Sequence, residues 1–259
     1  MKLLFVGDIV GEPGRTMLKD LLPGIIADNN INFTVANGEN AAGGRGLTRN
    51  TADEIFSYGV NVLTMGNHTF DRKEVDLLTP DKRILRPANY PPGVPGKGWG
   101  VYDIPGEECG KIAVINLMGR VFIPALIDCP FRTAEKILDS ISQETKNIFV
   151  DFHAEITSEK QAMGWFLNGK VSAVMGTHTH VQTADERVLP DGTAYITDTG
   201  MTGPGDGVIG MDREIILKKY LTSLPYRFSV AKGPVIFNGC IVEIDEKTGK
   251  ASGIERIKK

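Results

Sequence analysis

All four histidines of this chain, His68, His153, His178 and His180, stand just beyond the end of a short apolar run. Their contexts are TMGNHTFD, FVDFHAEI and MGTHTHVQ. Two further runs end in acidic residues: Asp8 in FVGDIVG, and Glu39 with Asn40 in ANGENAAGG. Such runs read as strands, and stretches of helical pattern separate them. A chain that alternates in this way builds a sheet covered by helices. Open α/β sheets hold ligands beyond the carboxyl ends of their strands. Strand ends that each deliver Asp, Glu, Asn or His therefore converge on one site.

The pattern predicts strands over 2–6, 33–36 and 60–65, with helices over 14–29, 51–58 and 71–78. Pro13 sits near the start of the first helix and Pro23 marks a kink or break in it. Asn50 or Thr51 caps the second. Residues 86–100 carry Pro87, Pro91, Pro92 and Pro95 and read as a long connection. Paired strands follow over 100–104 and 111–117, then a helix over 133–142, a strand over 148–152, a helix over 159–167 and a strand over 171–175. The tail changes character: 187–189 with 194–197, and 235–244 with 251–257, read as hairpins. The expected fold class is α/β, with two packed sheets and outer helices in one domain over 1–259.

Composition narrows the partners. The 259 residues are 41% hydrophobic, enough to bury a sizeable core. The net charge of -3 lacks the basic excess that a general grip on nucleic-acid backbone needs, so a small anionic substrate falls to a local site. The apolar run at 3–6 is too short for a signal peptide, and Asp8 interrupts it. No later segment approaches the roughly 18 apolar residues of a membrane span. Cys109, Cys129 and Cys240 are odd in number and lie outside CxxC spacing. They fit a reducing compartment and offer no thiolate metal site. A cytoplasmic protein without membrane contact is expected.

The residue types at the strand ends set the chemistry. Oxygen and imidazole donors without thiolates suit Mn, Fe, Ni, Co or Zn. Asp8, Glu39, Asn40, Asn67, His153, His178 and His180 are too many for one tetrahedral ion and fit two ions sharing a carboxylate. Two ions about 4 Å apart clamp the attacking and leaving oxygens of a phosphoryl displacement and acidify a bound water. Each residue alone has a duller reading. Asp8 can cap the helix that follows, Asn67 can be a turn residue, and Glu39 with Asn40 can form an exposed loop. His178 and His180 can be neighbours in an extended segment, where alternate side chains share a face. The agreement of all four histidines with the acidic strand ends favours the metal site. Arg45, in the Gly43-Gly44-Arg45-Gly46 stretch, can bring a guanidinium and backbone amides to a phosphate, or the stretch can be only a turn.

In order and spacing, GD near the N-terminus, GNH, a later His and GTHTH resemble the calcineurin-like metallophosphoesterases, with their DxH, GDxxD, GNH, H and GHxH pattern. Two departures narrow the resemblance. Val10 stands where DxH has its histidine, and NGEN replaces GDxxD, with Glu39 in the place of the bridging carboxylate. With VGDIVGEPGR, ANGENAAGGRGLT, TMGNHTFD and DTGMTGP, the chain resembles the bacterial YmdB-like branch, described as 2',3'-cyclic-nucleotide 2'-phosphodiesterases.

The resemblance runs from Met1 to about Ile257 and implies a four-layer α/β/β/α sandwich of two mixed sheets. It implies that Asp8, Glu39, Asn40 and His180 hold one metal, while Glu39, Asn67, His153 and His178 hold a second. Asn40 would compensate for the histidine missing at Val10, and His68 would be the general acid. The cofactors expected are two divalent or mixed-valence transition-metal ions, iron or manganese. The implied reaction is attack of a hydroxide held between the metals on a small cyclic nucleotide, giving a 3'-nucleotide; 3',5'-cyclic AMP is a second candidate substrate. The loop over 198–207 is expected on the substrate side, and the relatives suggest a homo-oligomer. The alternative function is a metal-binding regulator with weak residual phosphatase or nuclease activity.

Overall fold

The computed structural model describes residues 1–72, 74, 81–106, 110–141 and 143–259. Cys109 and most of the helix expected over 71–78 lie outside the described residues. Strand β1 (Lys2–Val6) is followed by the short β2 (Asp8–Ile9) and helix α1 (Gly11–Asn29). Next come β3 (Phe33–Asn37), α2 (Arg49–Ser57), β4 (Val62–Thr64) and β5 (Ile84–Leu85). The middle of the chain forms β6 (Trp99–Asp103), β7 (Lys111–Met118), α3 (Pro130–Ile141), β8 (Ile148–His153), α4 (Thr157–Leu167) and β9 (Ala173–Thr177). The tail adds β10 (Arg187–Val188), β11 (Ala194–Ile196), β12 (Met201–Pro204), α5 (Arg213–Thr222), β13 (Val235–Ile236), β14 (Asn238–Asp245) and β15 (Lys250–Lys258).

Alternation along the strands produces the layers, because successive side chains leave opposite faces of a sheet. Leu4 and Val6 of β1 pack with Leu18, Leu22 and Ile25 of α1, and with Ala52 and Ile55 of α2. Leu3 and Phe5 point the other way, into a core shared with Val114, Phe149 and Met175 of the second sheet. Strand β7 repeats the rule. Its Ile112 and Val114 join that inter-sheet core, while Ala113, Ile115 and Leu117 pack with Ala134 and Ile137 of α3 and Met163 and Leu167 of α4. The layers are therefore α/β/β/α, as the resemblance implied.

One sheet has the order β15-β14-β1-β3-β4-β5 and the other β10-β11-β9-β8-β7-β6. Strands β1, β3, β4 and β5 are parallel, and so are β7, β8, β9 and β11. Their carboxyl ends lead to Asp8, Glu39, Asn67, His153 and His178. A third sheet, β13-β12-β2, carries Asp8 itself.

Several local expectations change. Helix α1 runs through Pro23 without ending. The proline removes one hydrogen bond, but the face formed by Leu18, Leu22 and Ile25 is buried against β1 and holds the helix together. Thr48, rather than Asn50 or Thr51, caps α2. Its hydroxyl accepts the Thr51 N–H, and the Thr51 hydroxyl accepts the Thr48 N–H at 3.0 Å. The strand expected over 235–244 is split at the buried Phe237, and its first part pairs with β12. The 198–207 segment, read as a loop, contains β12.

Candidate metal centre

Glu39, one residue past a glycine that follows β3, is buried at the middle of the site. Its Oε1 lies 3.1 Å from His153 Nε2 and 3.4 Å from the Asn40 amide nitrogen. Its Oε2 accepts the His68 N–H at 3.0 Å. On one side Asn40 Nδ2 stands 3.3 Å from His180 Nε2, which stands 3.8 Å from Asp8 Oδ1. On the other, Asn67 Oδ1 is 2.9 Å from His153 Nε2, and the rings of His153 and His178 meet edge to face with centroids 4.6 Å apart. The structure thus joins Asp8, His180, Asn40, Glu39, His153, Asn67 and His178 in one continuous cluster. Among the described residues, ligand atoms of Glu39, His153 and His178 all fall within 4.8 Å of one another.

Outer contacts settle which ring nitrogen of each histidine is left to offer a lone pair once its proton is lost. The Thr177 hydroxyl donates to Asp151 Oδ1 at 2.7 Å, so its oxygen accepts from His153 Nδ1–H at 3.0 Å. Asp151 is itself held by Asn37 and Thr64 from the other sheet. His180 Nδ1–H donates to the Ile209 carbonyl at 3.0 Å, which leaves Nε2 as its lone-pair nitrogen. A carboxylate or carbonyl behind an imidazole is the usual support of a metal-binding histidine.

The electrostatics of the cluster are strongly coupled. Burial alone would raise Glu39, but the charge and hydrogen bond of His153, with His68 adding to them, bring it down to about 2. Burial would lower His153, yet Glu39, Asp8 and Asp151 push it up to about 9. Burial raises Asp8 to about 7 against the opposing pull of His180 and His153. Burial and the charge on His153 hold His178 down to about 3. His178 is therefore neutral, so its 2.9 Å contact with Glu155 is not an ion pair.

His178 and His180 do not lie in an extended segment, as their spacing suggested. Both have left-handed backbones, with φ of +95° and +65°. Such conformations cost on the order of 1–3 kcal/mol each in a non-glycine residue and persist only where surroundings enforce them. The turn brings both rings to the cluster by a route other than strand alternation.

His68 stands at the rim. Its Nδ1 is 2.6 Å from Asp71 Oδ2, and Arg45 Nε lies against the same carboxylate oxygen. Arginine can only donate, so Asp71 receives both hydrogens, while His68 Nε2 faces the Asn67 amide nitrogen at 3.3 Å. Asp71 sits in the TMGNHTFD stretch, but sequence reasoning gave it no role. It gave none to Asp151, Thr177 or Asn37 either. The Arg45 loop is a true left-handed turn, with positive φ at Gly43, Gly44 and Gly46.

The cluster fits metal ions on its own evidence. Asp8 Oδ1 is buried and has no hydrogen-bond partner, an expensive condition for a carboxylate oxygen. A half-turn of the Asn40 amide would present its oxygen beside the His180 lone pair. Gly66 of GNH has room for no side chain: a Cβ there would lie 2.3 Å from His153 Nε2 and 2.4 Å from Glu39 Oε2. A groove of about 1010 Å³ lies elsewhere, lined by Lys136, Lys146, Lys170 and Lys250 among others, and none of the cluster borders it.

Comparison with known proteins agrees with this chemistry. The family model described as YmdB-like protein matches residues 4–257. The chain is 52% identical to the 2',3'-cyclic-nucleotide 2'-phosphodiesterase of Bacillus subtilis (strain 168), over 99% of this chain and 96% of the relative. A solved phosphatase structure from Mycoplasma pneumoniae superposes with a TM-score of 0.93 at 34% identity, covering 100% of this chain and 93% of that one. A hypothetical protein from Thermus thermophilus gives a TM-score of 0.92 at 38% identity, covering 100% and 99%. No described helix is long and apolar enough to cross a membrane.

Proposed function

From the premise that this chain belongs to the YmdB-like family, we propose that it is a two-metal phosphodiesterase that opens 2',3'-cyclic nucleotides to 3'-nucleotides. It is a phosphoric diester hydrolase, acting through one domain over 1–259. Asp8, Glu39, Asn40 and His180 would hold one ion, and Glu39, Asn67, His153 and His178 the other. Iron or manganese suits this donor set. When bound, the ions acidify a water and offset the charge that develops at phosphorus. The observation that carries the reading is the position of Glu39: one buried carboxylate touches His153 of one donor group and Asn40 of the other.

The chain's own residues do the rest. Thr177 and Asp151 fix the His153 ring so that Nε2 faces Glu39. His68, steadied through Nδ1 by Asp71, would act as general acid in its imidazolium form, giving the Nε2 proton to the leaving ribose oxygen. Arg45, on the same aspartate, puts a guanidinium at the rim for the phosphate oxygens. A five-membered cyclic phosphate is a strained diester and asks less of these groups than an open one. A 3',5'-cyclic nucleotide is the second substrate class the site would take.

The test is hydrolysis of 2',3'-cyclic AMP by protein reconstituted with manganese or iron, beside Glu39→Gln and His68→Ala. Turnover to 3'-AMP that vanishes in Glu39→Gln is expected. If neither metal gives turnover while bis-p-nitrophenyl phosphate is cleaved, the cyclic-nucleotide assignment falls and the metal site stands. If neither substrate turns over, the regulatory alternative takes its place.

A further inference from the structure

Lys160 is 1% exposed, yet nothing in the reaction above uses it. It projects from the first turn of α4, and its Nζ donates to Asp198 Oδ2 at 2.7 Å. Asp198 follows β11 and is fully buried. A buried ion pair is weak evidence for stability, since an apolar pair of similar volume often serves as well or better. Such a pair calls for another account, and the contacts of Asp198 supply one. The same Oδ2 accepts the backbone N–H of Thr179 at 3.1 Å and its hydroxyl at 2.6 Å. Lys160 Nζ also donates to that hydroxyl oxygen at 3.2 Å. Asp198 Oδ1 meanwhile accepts the Gly200 N–H at 2.7 Å, which anchors the carboxylate to its own loop.

Thr179 is the residue between His178 and His180, and both neighbours hold left-handed backbones. Such conformations persist only where their surroundings enforce them, and the threonine between them is pinned. The pinning comes through its main chain and its side chain together. Its source is a rigid helix on one side and the strand-end loop leading to β12 on the other. The same loop, just before β12, in turn holds the main chain of Asp8: the Asp8 N–H donates to the Gly200 carbonyl at 3.0 Å. One ion pair is therefore linked to three of the seven ligand candidates.

We propose that Lys160 and Asp198 form a positioning clamp that grips Thr179 and thereby sets the imidazoles of His178 and His180 for metal binding. The clamp rests on the two-metal reading above, but it touches no ligand side chain. Its effect passes through Thr179, so it acts on affinity and coordination geometry rather than on the chemical step.

The test uses metal-free full-length protein titrated with Co(II), read by calorimetry and by the visible d–d absorption of the bound ion. The variants are Lys160→Met/Asp198→Asn, which removes both charges, and Thr179→Val, which removes only the gripped hydroxyl. Leu189→Ala, in the core beneath α4, is the control for general destabilisation. Both clamp variants should bind Co(II) about 10–100-fold more weakly with an altered absorption envelope, the range typical of lost outer-sphere support. Leu189→Ala should melt earlier yet keep the wild-type affinity and spectrum. Wild-type affinity and spectrum in Thr179→Val would overturn the clamp, whether or not the double variant folds. Equal loss of affinity in Leu189→Ala would overturn it too, because affinity would then follow stability. If the wild-type protein binds no Co(II), the two-metal reading fails first and the clamp with it.

Discussion

Replacing Gly66 by alanine adds one methyl group at the most crowded point of the site. The new Cβ would stand 2.3 Å from both Cδ2 and Nε2 of His153 and 2.4 Å from Glu39 Oε2. Ordinary contact begins at about 3.5 Å, so the gap is short by roughly 1 Å. Neither neighbour can yield cheaply. His153 is fully buried with Nδ1 on Thr177, and Glu39 is 1% exposed with the His68 N–H on the atom that would be struck. Overpacking of this kind costs about 1–3 kcal/mol, a fall in Tm of roughly 2–12 °C for a chain of this size. The functional loss should be much larger. A displacement of about 1 Å in groups that position a reaction costs on the order of 100-fold. Here both groups also belong to the metal cluster. Gly66→Ala should remain folded by circular dichroism, lose at least about 100-fold in kcat/KM on 2',3'-cyclic AMP, and bind manganese weakly. A variant with wild-type affinity and turnover would mean that His153 and Glu39 are not jointly needed, and the shared-carboxylate arrangement would be wrong.

Three further outcomes follow from the same geometry. Asp151→Asn keeps the shape but weakens the support behind Thr177 and His153, so manganese affinity should fall about 10–100-fold by calorimetry; an unchanged affinity would remove Asp151 from the site. His68→Ala should lower kcat on 2',3'-cyclic AMP by about 10²–10⁴-fold while metal stoichiometry holds. Bis-p-nitrophenyl phosphate, whose leaving group needs no proton, should suffer far less, and equal losses on both substrates would rule out His68 as the acid. Metal affinity should also rise with pH. His153, held up to about 9, carries a proton at neutral pH, and Asp8, raised to about 7, carries one below it; an entering ion must expel both. Apparent affinity should therefore gain about tenfold per pH unit between about 7 and 9 and more steeply below that, and a flat profile from near pH 6 to near pH 8 would contradict this coupling.

The candidate ligands were legible because their signal is local. A strand is recognised from a handful of residues, and the polar group just past its end is read from the same few letters. Asp8, Glu39, Asn67 and His153 all lie at such ends. Their supports were illegible for a matching reason. Asp151 looks like an interruption in FVDFH, and what satisfies it is Thr64, 87 residues away, with Asn37 at a separation of 114. Helix α5 was missed because only Ile216 of its ten residues is buried, so no apolar stripe announces it. Pro23 misled in the opposite direction, since a rule about isolated helices was overruled by a buried face.

The GTHTH stretch shows most clearly where pattern reading stops. Its two histidines can be read as neighbours in an extended segment whose alternate side chains share a face. The strand in fact ends at Thr177, and both rings arrive through left-handed turns that alternation cannot describe. Between them Thr179 looks interchangeable with any small polar residue. Its importance appears only when Lys160, on a helix 19 residues earlier, and Asp198, on a loop 19 residues later, are found closing on it from two sides. Lys160 would be assigned to solvent on composition alone, because buried lysine is rare without a partner. The partner exists because β9 and β11 are parallel neighbours that end at the same edge. A site of this type is thus written in two ways: its ligands in short motifs, and the geometry of those ligands in pairings that only the assembled sheets create.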